Sequence, residues 1–386
     1  MAFVAPRFGA SVVGGSEAVT REMATGLASR GWDVDVVTTC AVDHYTWANE
    51  LAPGVTEEEG VRVHRFPAVH HFSRAGRRAQ LAIQAGRIPV IDDQVSWLSW
   101  RFTSPELYQH LLRHGEDYQA AFFSPYMFWT TSVCLPAVAE RAVSVPCLHD
   151  ETYARLDVLR PALSSAALVW FLSEPEHDLA HRLGEVSPRH VVGGAGVATP
   201  DGYDPEGFRS RYGLTRPFVV YAGRREADKG WPWLLQAWKE AVEGGLDVDL
   251  LTMGVGDTAI NGGLAGRVHD LGFVSAAERD NALAAALAYV QPSRMESFSR
   301  TVMEAWLAGT PVVSLEASEV VSWHIGRSGG GLTVADGSQL CAAIRRLASS
   351  PGQSEEMAQQ GRNYVLANYT WPAVLDRLEL ALAEFN

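Results

Sequence analysis

The segment from Leu287 to Ser314 constrains the fold more tightly than any other part of the chain. An apolar run, Leu287 to Val290, gives way to a turn of small hydroxyl residues around Glu296. Thr301 to Ala308 then reads as a short helix, closed by Gly309 with Pro311 soon after, and Pro311 to Ser314 is apolar again. Strand, turn, helix and strand in such short order predict an α/β fold, and the rest of the chain repeats the alternation. Ala2 to Ala5 reads as a strand and Glu17 to Arg30 as a helix with Val19, Met23 and Leu27 on one face; Val34 to Thr38 is the next strand. Further strands are expected at Ala120 to Phe123, Val143 to Leu148, Ala167 to Leu172 and His190 to Val192, then at Phe218 to Ala222, Val248 to Met253 and Ala288 to Gln291. Trp371 to Phe385 is amphipathic.

With 386 residues the chain is too long for one ordinary domain and suits two of about 190 each. The stretch from Gly193 through Pro217, rich in Gly, Pro and charge, is the expected linker. A formal net charge of −13 argues against nonspecific nucleic-acid binding, so any bound anion needs local cations. Cys40, Cys134, Cys147 and Cys341 show neither C-x-x-C pairing nor metal spacing, as expected of reduced thiols in a cytoplasmic protein. Neither a signal peptide nor a run of transmembrane length is expected.

Four places carry chemistry. A strand-to-helix turn exposes backbone N–H groups that attract anionic oxygens, and a carboxylate about one turn into such a helix, Glu304, suits a diol such as ribose. Tyr221-Ala222-Gly223-Arg224-Arg225-Glu226-Ala227-Asp228-Lys229-Gly230 follows a strand end, where open α/β sheets bind ligands. There Arg224 and Lys229 supply the positive charge that a diphosphate needs, while Arg225 and Glu226 are expected to face outward. Gly14-Gly15-Ser16-Glu17 precedes a helix with Ser16 as the expected N-cap, but the loop from Pro6 to Val13 separates it from the strand, unlike a dinucleotide fingerprint. His149 follows a buried strand, with Asp150 beside it as a group that can orient an imidazole.

In order and spacing, Glu296 and Glu304 eight positions apart, Gly223-Arg224 with Lys229-Gly230, the Gly14-Gly15-Ser16 turn and His149 resemble the retaining glycosyltransferases of family four. The resemblance implies the GT-B fold, two facing Rossmann-like doubly wound domains with a deep cleft. Residues 1–197 would form the acceptor-side domain, joined by the C-terminal helix 371–386, and residues 198–370 the nucleotide-sugar domain. It implies transfer of a hexosyl group from a nucleotide diphosphate sugar to a hydroxyl acceptor, whether glycan, glycolipid or small-molecule natural product, with retention and with neither metal nor cofactor. Arg224 and Lys229 would contact the diphosphate, Glu304 the ribose, and Glu296 with the amides of Ser297, Phe298 and Ser299 the sugar hydroxyls. Arg300 and Thr301 would open the helix that receives the leaving charge. His149 would touch the donor sugar, Gly15, Ser16 and Gly223 would line the donor site, and the turns Met253 to Asp257 and Leu271 to Val274 would read the base.

Departures from the family pattern are Ser299 where glycine is usual, Arg300 where an apolar residue is common, and Ser314 to Glu319 where a glycine pair is expected. Asp33-Val34-Asp35 and Asp247-Val248-Asp249 spell D-x-D, a metal motif in another fold class. Each starts a strand here and is read as structural. From His70 to Trp129, Arg74, Arg77, Arg78 and Arg87 precede Trp97, Trp100, Tyr108, Tyr126 and Trp129. This region suits an acceptor site, a peripheral membrane contact or a helical subdomain with an aromatic core. A same-fold nucleotide-sugar epimerase and a non-catalytic carbohydrate-binding protein are the alternatives to a transferase.

Overall fold

The computed structural model describes residues 1–12, 14–258 and 264–383. The chain divides into two compact units, Met1–Gly196 with Val374–Asn386, and Val197–Ala373.

The first unit is built on eight strands: β1 (Ala2–Val4), β2 (Asp35–Thr39), β3 (Gly54–Glu58), β4 (Val61–Phe66), β5 (Ala121–Phe123), β6 (Ala142–Ser144), β7 (Leu168–Phe171) and β8 (His190–Val192). Their order is β3-β4-β2-β1-β5-β6-β7-β8, with every pairing parallel except β3 on β4. Strands buried on both faces are continuous apolar runs, as Ala2-Phe3-Val4 and Ala121-Phe122-Phe123 are. Phe3 and Phe122 stack at 4.4 Å across that pair. The helix Gly15–Ser29 buries Val19, Met23 and Leu27, the face that its spacing predicted. The C-terminal helix Trp371–Ala383 returns to this unit: Arg30 binds Asp376 and Glu379, and Trp32 Nε1 donates to Glu379. Residues 384–386 of that expected helix lie outside the described residues.

The second unit carries six parallel strands: β9 (Phe218–Ala222), β10 (Asp249–Met253), β11 (Val268–Asp270), β12 (Ala288–Gln291), β13 (Val312–Leu315) and β14 (Gly331–Val334). The order β11-β10-β9-β12-β13-β14 is the doubly wound 3-2-1-4-5-6 arrangement. It reverses direction between β9 and β12. Ligands of such sheets bind beyond the carboxyl ends at that reversal, where the chain places the Arg224 and Glu296 turns.

Some expected elements differ. The strand expected from Val143 to Leu148 ends at Ser144, since Pro146 and a left-handed Cys147 (φ 53°) break its pairing. The Gly193–Pro217 stretch holds a helix, Pro205–Tyr212, capped by Asp204 on the amide of Gly207. The β3/β4 hairpin was not anticipated. Its signal is Glu59-Gly60, both at positive φ, before the alternating buried Val61, Val63 and Arg65. Between His70 and Trp129 the helices Arg74–Gln84, Ile91–Trp100 and Pro105–His114 pack around an aromatic core in which Trp97, Tyr126 and Trp129 are buried. Trp97 Nε1 donates to Gln80 at 2.7 Å, and Arg78 pairs with Asp93. Among the described residues no helix is long and apolar enough to cross a membrane.

Candidate active site

In the second unit, the loops after β9 and β12 meet. Lys229 Nζ lies 2.9 Å from Glu296 Oε1, although 67 positions separate them in sequence. Gly230 makes this approach possible. It sits at φ +73° at the start of the helix Trp231–Glu243, and a Cβ there would come within 2.3 Å of the carbonyl oxygen of Pro292. The β9 turn is pinned from below by Tyr221, whose hydroxyl donates to the carbonyl of Arg224 at 2.6 Å. Arg224 itself reaches Glu226 at 2.6 Å and Asp228 at 3.5 Å, so these acids hold the guanidinium at the mouth of the turn. Gly223 joins the turn to the next loop, its amide donating to Met253 at 2.9 Å.

The β12 loop is organised by Gln291, whose side chain accepts from the amide of Ser293 and donates to Ser299 Oγ at 2.9 Å. Ser314 Oγ donates to the carbonyl of Gln291 at 3.1 Å, which gives the departure from a glycine pair a structural use. Ser297, Phe298 and Ser299 are buried, with Phe298 packed edge-on against His324 and Tyr369. Ser299 is left-handed at φ 68° and precedes the helix Arg300–Leu307, a conformation that suits the glycine usual in the family. The Tyr289 hydroxyl donates to the carbonyl of Ala222 at 3.4 Å, while Arg300 opens the helix half-buried. Burial first, and the Glu296 carboxylate second, push both the Tyr221 and Tyr289 phenols well above their usual range, so both remain donors. Glu304, with a side chain 12% exposed, meets Arg279 at 3.1 Å. It is a sheltered carboxylate on the helix that follows Glu296.

Arg225, expected to face outward, is buried. Its guanidinium binds Thr252, the carbonyls of Gly254 and Gly256, and Asp270. One side chain thereby ties the loop after β9 to β10, the loop that follows it, and the end of β11. The physical reason is that two carbonyls of the loop after β10, the Thr252 hydroxyl and the Asp270 carboxylate converge on one point, where a guanidinium's fixed N–H donors meet them. Gly254 is obligatory there, since a Cβ would lie 2.0 Å from the carbonyl oxygen of Gly223. Beyond this clasp Val255 and Phe273 stand exposed.

In the first unit, Ser16 is not the N-cap. The helix starts at Gly15 with Gly14 as cap, and Ser16 Oγ donates to Glu17 Oε2 at 2.8 Å. Glu17 folds over the turn, so a Cβ on Gly14 would lie 2.2 Å from its carboxylate, whereas Gly15 faces open space. The buried Glu17 is neutralised by Arg7. His149 lies five residues past the shortened β6, its Nδ1 3.6 Å from Glu151, which also accepts from Tyr126 at 3.1 Å. Asp150 turns away to Arg155, so Glu151 and not Asp150 faces the imidazole. The loop is fixed by Glu176, which accepts the amide of Leu148 at 2.6 Å. The two D-x-D segments sit at the amino ends of β2 and β10, where Arg62 holds Asp33 and Asp35, and Arg267 holds Asp247 and Asp249.

Two cations and two sheltered carboxylates thus gather at the reversal point of a doubly wound α/β sheet, where such folds bind ligands. Residues 14–194 match the family model described as "Glycosyl transferase 4-like domain" and residues 216–350 that of "Glycosyl transferases group 1". The chain belongs to this glycosyltransferase family. Among curated relatives it is 26% identical over 286 residues to 2-deoxystreptamine glucosyltransferase of Streptomyces kanamyceticus, covering 64% of this chain and 72% of the relative. It is also 26% identical over 234 residues to alpha-D-kanosaminyltransferase of the same organism, covering 57% of this chain and 61% of the relative. The chain thus spans about three fifths of the latter's length. Sucrose-phosphate synthase from Thermosynechococcus elongatus superposes with a TM-score of 0.73 at 20% identity, covering 99% and 98% of the two chains. Anabaena HepE in complex with UDP and glucose gives 0.72 at 17% identity, covering 99% of each. The fold is that of the GT-B glycosyltransferases.

Proposed function

We propose that this protein transfers a hexosyl group from a nucleoside diphosphate sugar to a hydroxyl of a small-molecule acceptor, with retention at the anomeric carbon and without a metal ion. The juxtaposition of Lys229 and Glu296 at the reversal of the second sheet carries the reading. An arriving diphosphate exchanges with Glu296 for the ammonium, and the released carboxylate takes sugar hydroxyls together with the amides of Ser297, Phe298 and Ser299. Glu304 accepts the ribose diol, and Gly223 lines the donor beside Arg224. The bond from the anomeric carbon to the diphosphate oxygen breaks while the acceptor oxygen bonds on the same face, its proton passing to the departing phosphate. Arg224, Lys229 and the helix start at Arg300 and Thr301 stabilise the charge that develops there. These cations supply the charge in place of a metal, and the D-x-D carboxylates are already held by arginines. His149 contacts the donor sugar. Gly15 and Ser16 offer polar contacts on the first unit, to sugar or acceptor hydroxyls, because Glu17 makes their turn unsuited to phosphate. The matched family models are those of transferases, and the relative named 2-deoxystreptamine glucosyltransferase supports a small-molecule acceptor.

The test is turnover with a panel of nucleoside diphosphate sugars and aminocyclitol or aminosugar acceptors. Lys229→Ala is expected to lower kcat by about 10²–10³ with little change in Tm, and the product should retain the donor's anomeric configuration by NMR. Full turnover by that variant, an inverted product, or activity lost to EDTA and restored by magnesium would each overturn its part of the reading.

A further inference from the structure

Three histidines remote in role from this chemistry lie together at one edge of the first sheet. His177 and His181 are one helical turn apart on the helix Glu174–Leu183, and His190 opens the edge strand β8. Their rings lie 4.2, 5.0 and 5.1 Å apart between centroids. A ligand nitrogen of each lies within 4.8 Å of one on both others. His181 and His190 are exposed and His177 is half-buried, so an ion from solvent has access.

The tautomers are fixed by their partners. His181 Nδ1 lies 3.0 Å from the backbone carbonyl of His177, and His190 Nδ1 lies 3.1 Å from that of Ser187. A carbonyl oxygen only accepts, so in both rings Nδ1 carries the hydrogen and the neutral imidazole keeps its lone pair on Nε2. His177 Nδ1 lies 3.0 Å from the Asp178 carboxylate, which fixes its tautomer in the same way. A ring N–H held by a carbonyl or carboxylate is the outer-shell arrangement that orients metal-binding histidines and raises their basicity. Glu174 also brings a carboxylate within 4.8 Å of a His177 ligand atom, adding negative charge where a cation would sit.

We propose that His177, His181 and His190 form a binding site for a first-row divalent transition-metal ion, with Zn²⁺ the best match. Three neutral imidazoles suit Zn²⁺ over Mg²⁺ or Ca²⁺, which prefer oxygen ligands. Tetrahedral zinc at about 2.0–2.1 Å from each nitrogen needs ligands about 3.3 Å apart, a spacing reached by small rotations of the two exposed rings. The fourth position stays open to water. The ion clips the helix to β8, whose only sheet neighbour among the described residues is β7, and so stabilises the edge of the first unit. The site is independent of the transfer reaction proposed above.

Metal-stripped protein without a histidine tag should be titrated with Zn²⁺ by calorimetry, and with Co²⁺ by visible absorption, in parallel with a His181→Gln/His190→Gln double variant. Both replaced side chains are exposed, and circular dichroism checks that the fold is kept. The expected result is one equivalent of Zn²⁺ with a rise in Tm, a low-coordinate Co²⁺ spectrum, and affinity reduced at least about tenfold in the double variant. His114→Gln, in the separate group His64, His110 and His114, is expected to leave binding unchanged. Absence of Zn²⁺ binding, equal affinity in the double variant, or loss of the site in His114→Gln overturns the assignment.

Discussion

The two units repeat one design at the amino ends of their strands and part at the carboxyl ends. In the first, Asp33-Val34-Asp35 on β2 faces Arg62-Val63-His64 on β4; in the second, Asp247-Val248-Asp249 on β10 faces Arg267-Val268-His269 on β11. Arg62 Nε reaches Asp35 at 2.8 Å and Arg267 Nε reaches Asp249 at 2.8 Å. His64 and His269 stand 3.2 and 3.0 Å from the same carboxylates. Each clamp ties the second strand of its unit to the outer neighbour. A pattern that looked like a metal motif is thus a strand fastener used twice.

At the opposite ends each unit again has a buried arginine three residues beyond its first strand. Arg7 donates to the carbonyl of Val42 at 2.8 Å, and Arg225 to that of Gly254 at 2.9 Å. The counter-anions differ. Arg7 pairs with Glu17, in the first turn of the following helix, so the positive helix terminus is already covered by the protein's own carboxylate. Arg225 pairs with Asp270 on the third strand, and the first turn of the helix after Lys229-Gly230 carries no acid. The same frame therefore gives one unit a helix terminus closed by an acid of its own first turn and the other a terminus whose first turn carries none.

The largest effect should come from breaking the closed version. Arg7→Ala strands Glu17, whose side chain is 7% exposed, and loss of one partner of a buried pair costs about 3–5 kcal/mol. Arg225→Ala leaves Asp270, at 36% exposure, able to turn to water, and should cost about 2–3 kcal/mol through its unpaired carbonyls. Urea unfolding of both variants measures the difference. Equal losses would mean that the two arginines are not distinguished by their counter-anions.

The amino-end clamps should behave alike. Asp35→Ala and Asp249→Ala each leave an arginine and a histidine without their shared acid, at a cost of about 2–3 kcal/mol. Neither should change kcat more than a few fold. A large loss of turnover with an unchanged Tm in Asp249→Ala would return that residue to a catalytic role.

How much of this was legible in the sequence follows from the range of the interactions. The β9 and β12 turns, Lys229 with Glu296, and the helix carrying Glu304 could be placed because each rests on local patterns of apolar run, glycine and cap. Arg225 could not, because its burial depends on partners from β10, the loop after it and β11 that only the finished sheet gathers. The clamps were half visible: the acids were recognised as strand starts, but their partners lie 27 positions on from Asp35 and 18 from Asp249. The repeat of D-V-D followed by R-V-H was the available signal. Ser16 misled because a serine after glycine normally caps, whereas here Glu17 folds over the turn and Gly14 makes room for it.

Acid separates the units at the level of about 2 kcal/mol. Burial raises the Asp35 carboxyl, but His64, Tyr118 and Arg62 outweigh it and bring it down to about 2. That contribution is present above its unfolded value near 3.8 and is lost as pH falls toward 2, worth about 2 kcal/mol. In the second unit burial, then Arg327, lowers His324 to about 3. A histidine kept neutral by folding destabilises once its unfolded form takes up protons, so this loss starts below pH 6.5 and runs to about 3. Burial, then His64 and His114, lowers His110 in the first unit only to about 4, a narrower window. Denaturant titrations from pH 7 to 3 should show a shallower acid limb in His324→Gln and no change there in Asp35→Asn until below pH 4. The reverse pattern would reassign the acid sensitivity.

The smallest test concerns strain that both carboxyl ends share. Cys147 in the His149 loop and Ser299 before Arg300 are non-glycine residues at φ 53° and 68°, a conformation costing about 1–2 kcal/mol. Ser299 recovers about 1 kcal/mol through the hydrogen bond from Gln291. Ser299→Gly removes both strain and bond and should leave stability within about 1 kcal/mol. Ser299→Ala keeps the strain and loses the bond, so it should fall about 1 kcal/mol below wild type. The ranking glycine at or above serine, with alanine lowest, separates the two contributions. Alanine matching serine would mean that the Gln291 bond contributes nothing and that the loop tolerates serine for its conformation alone.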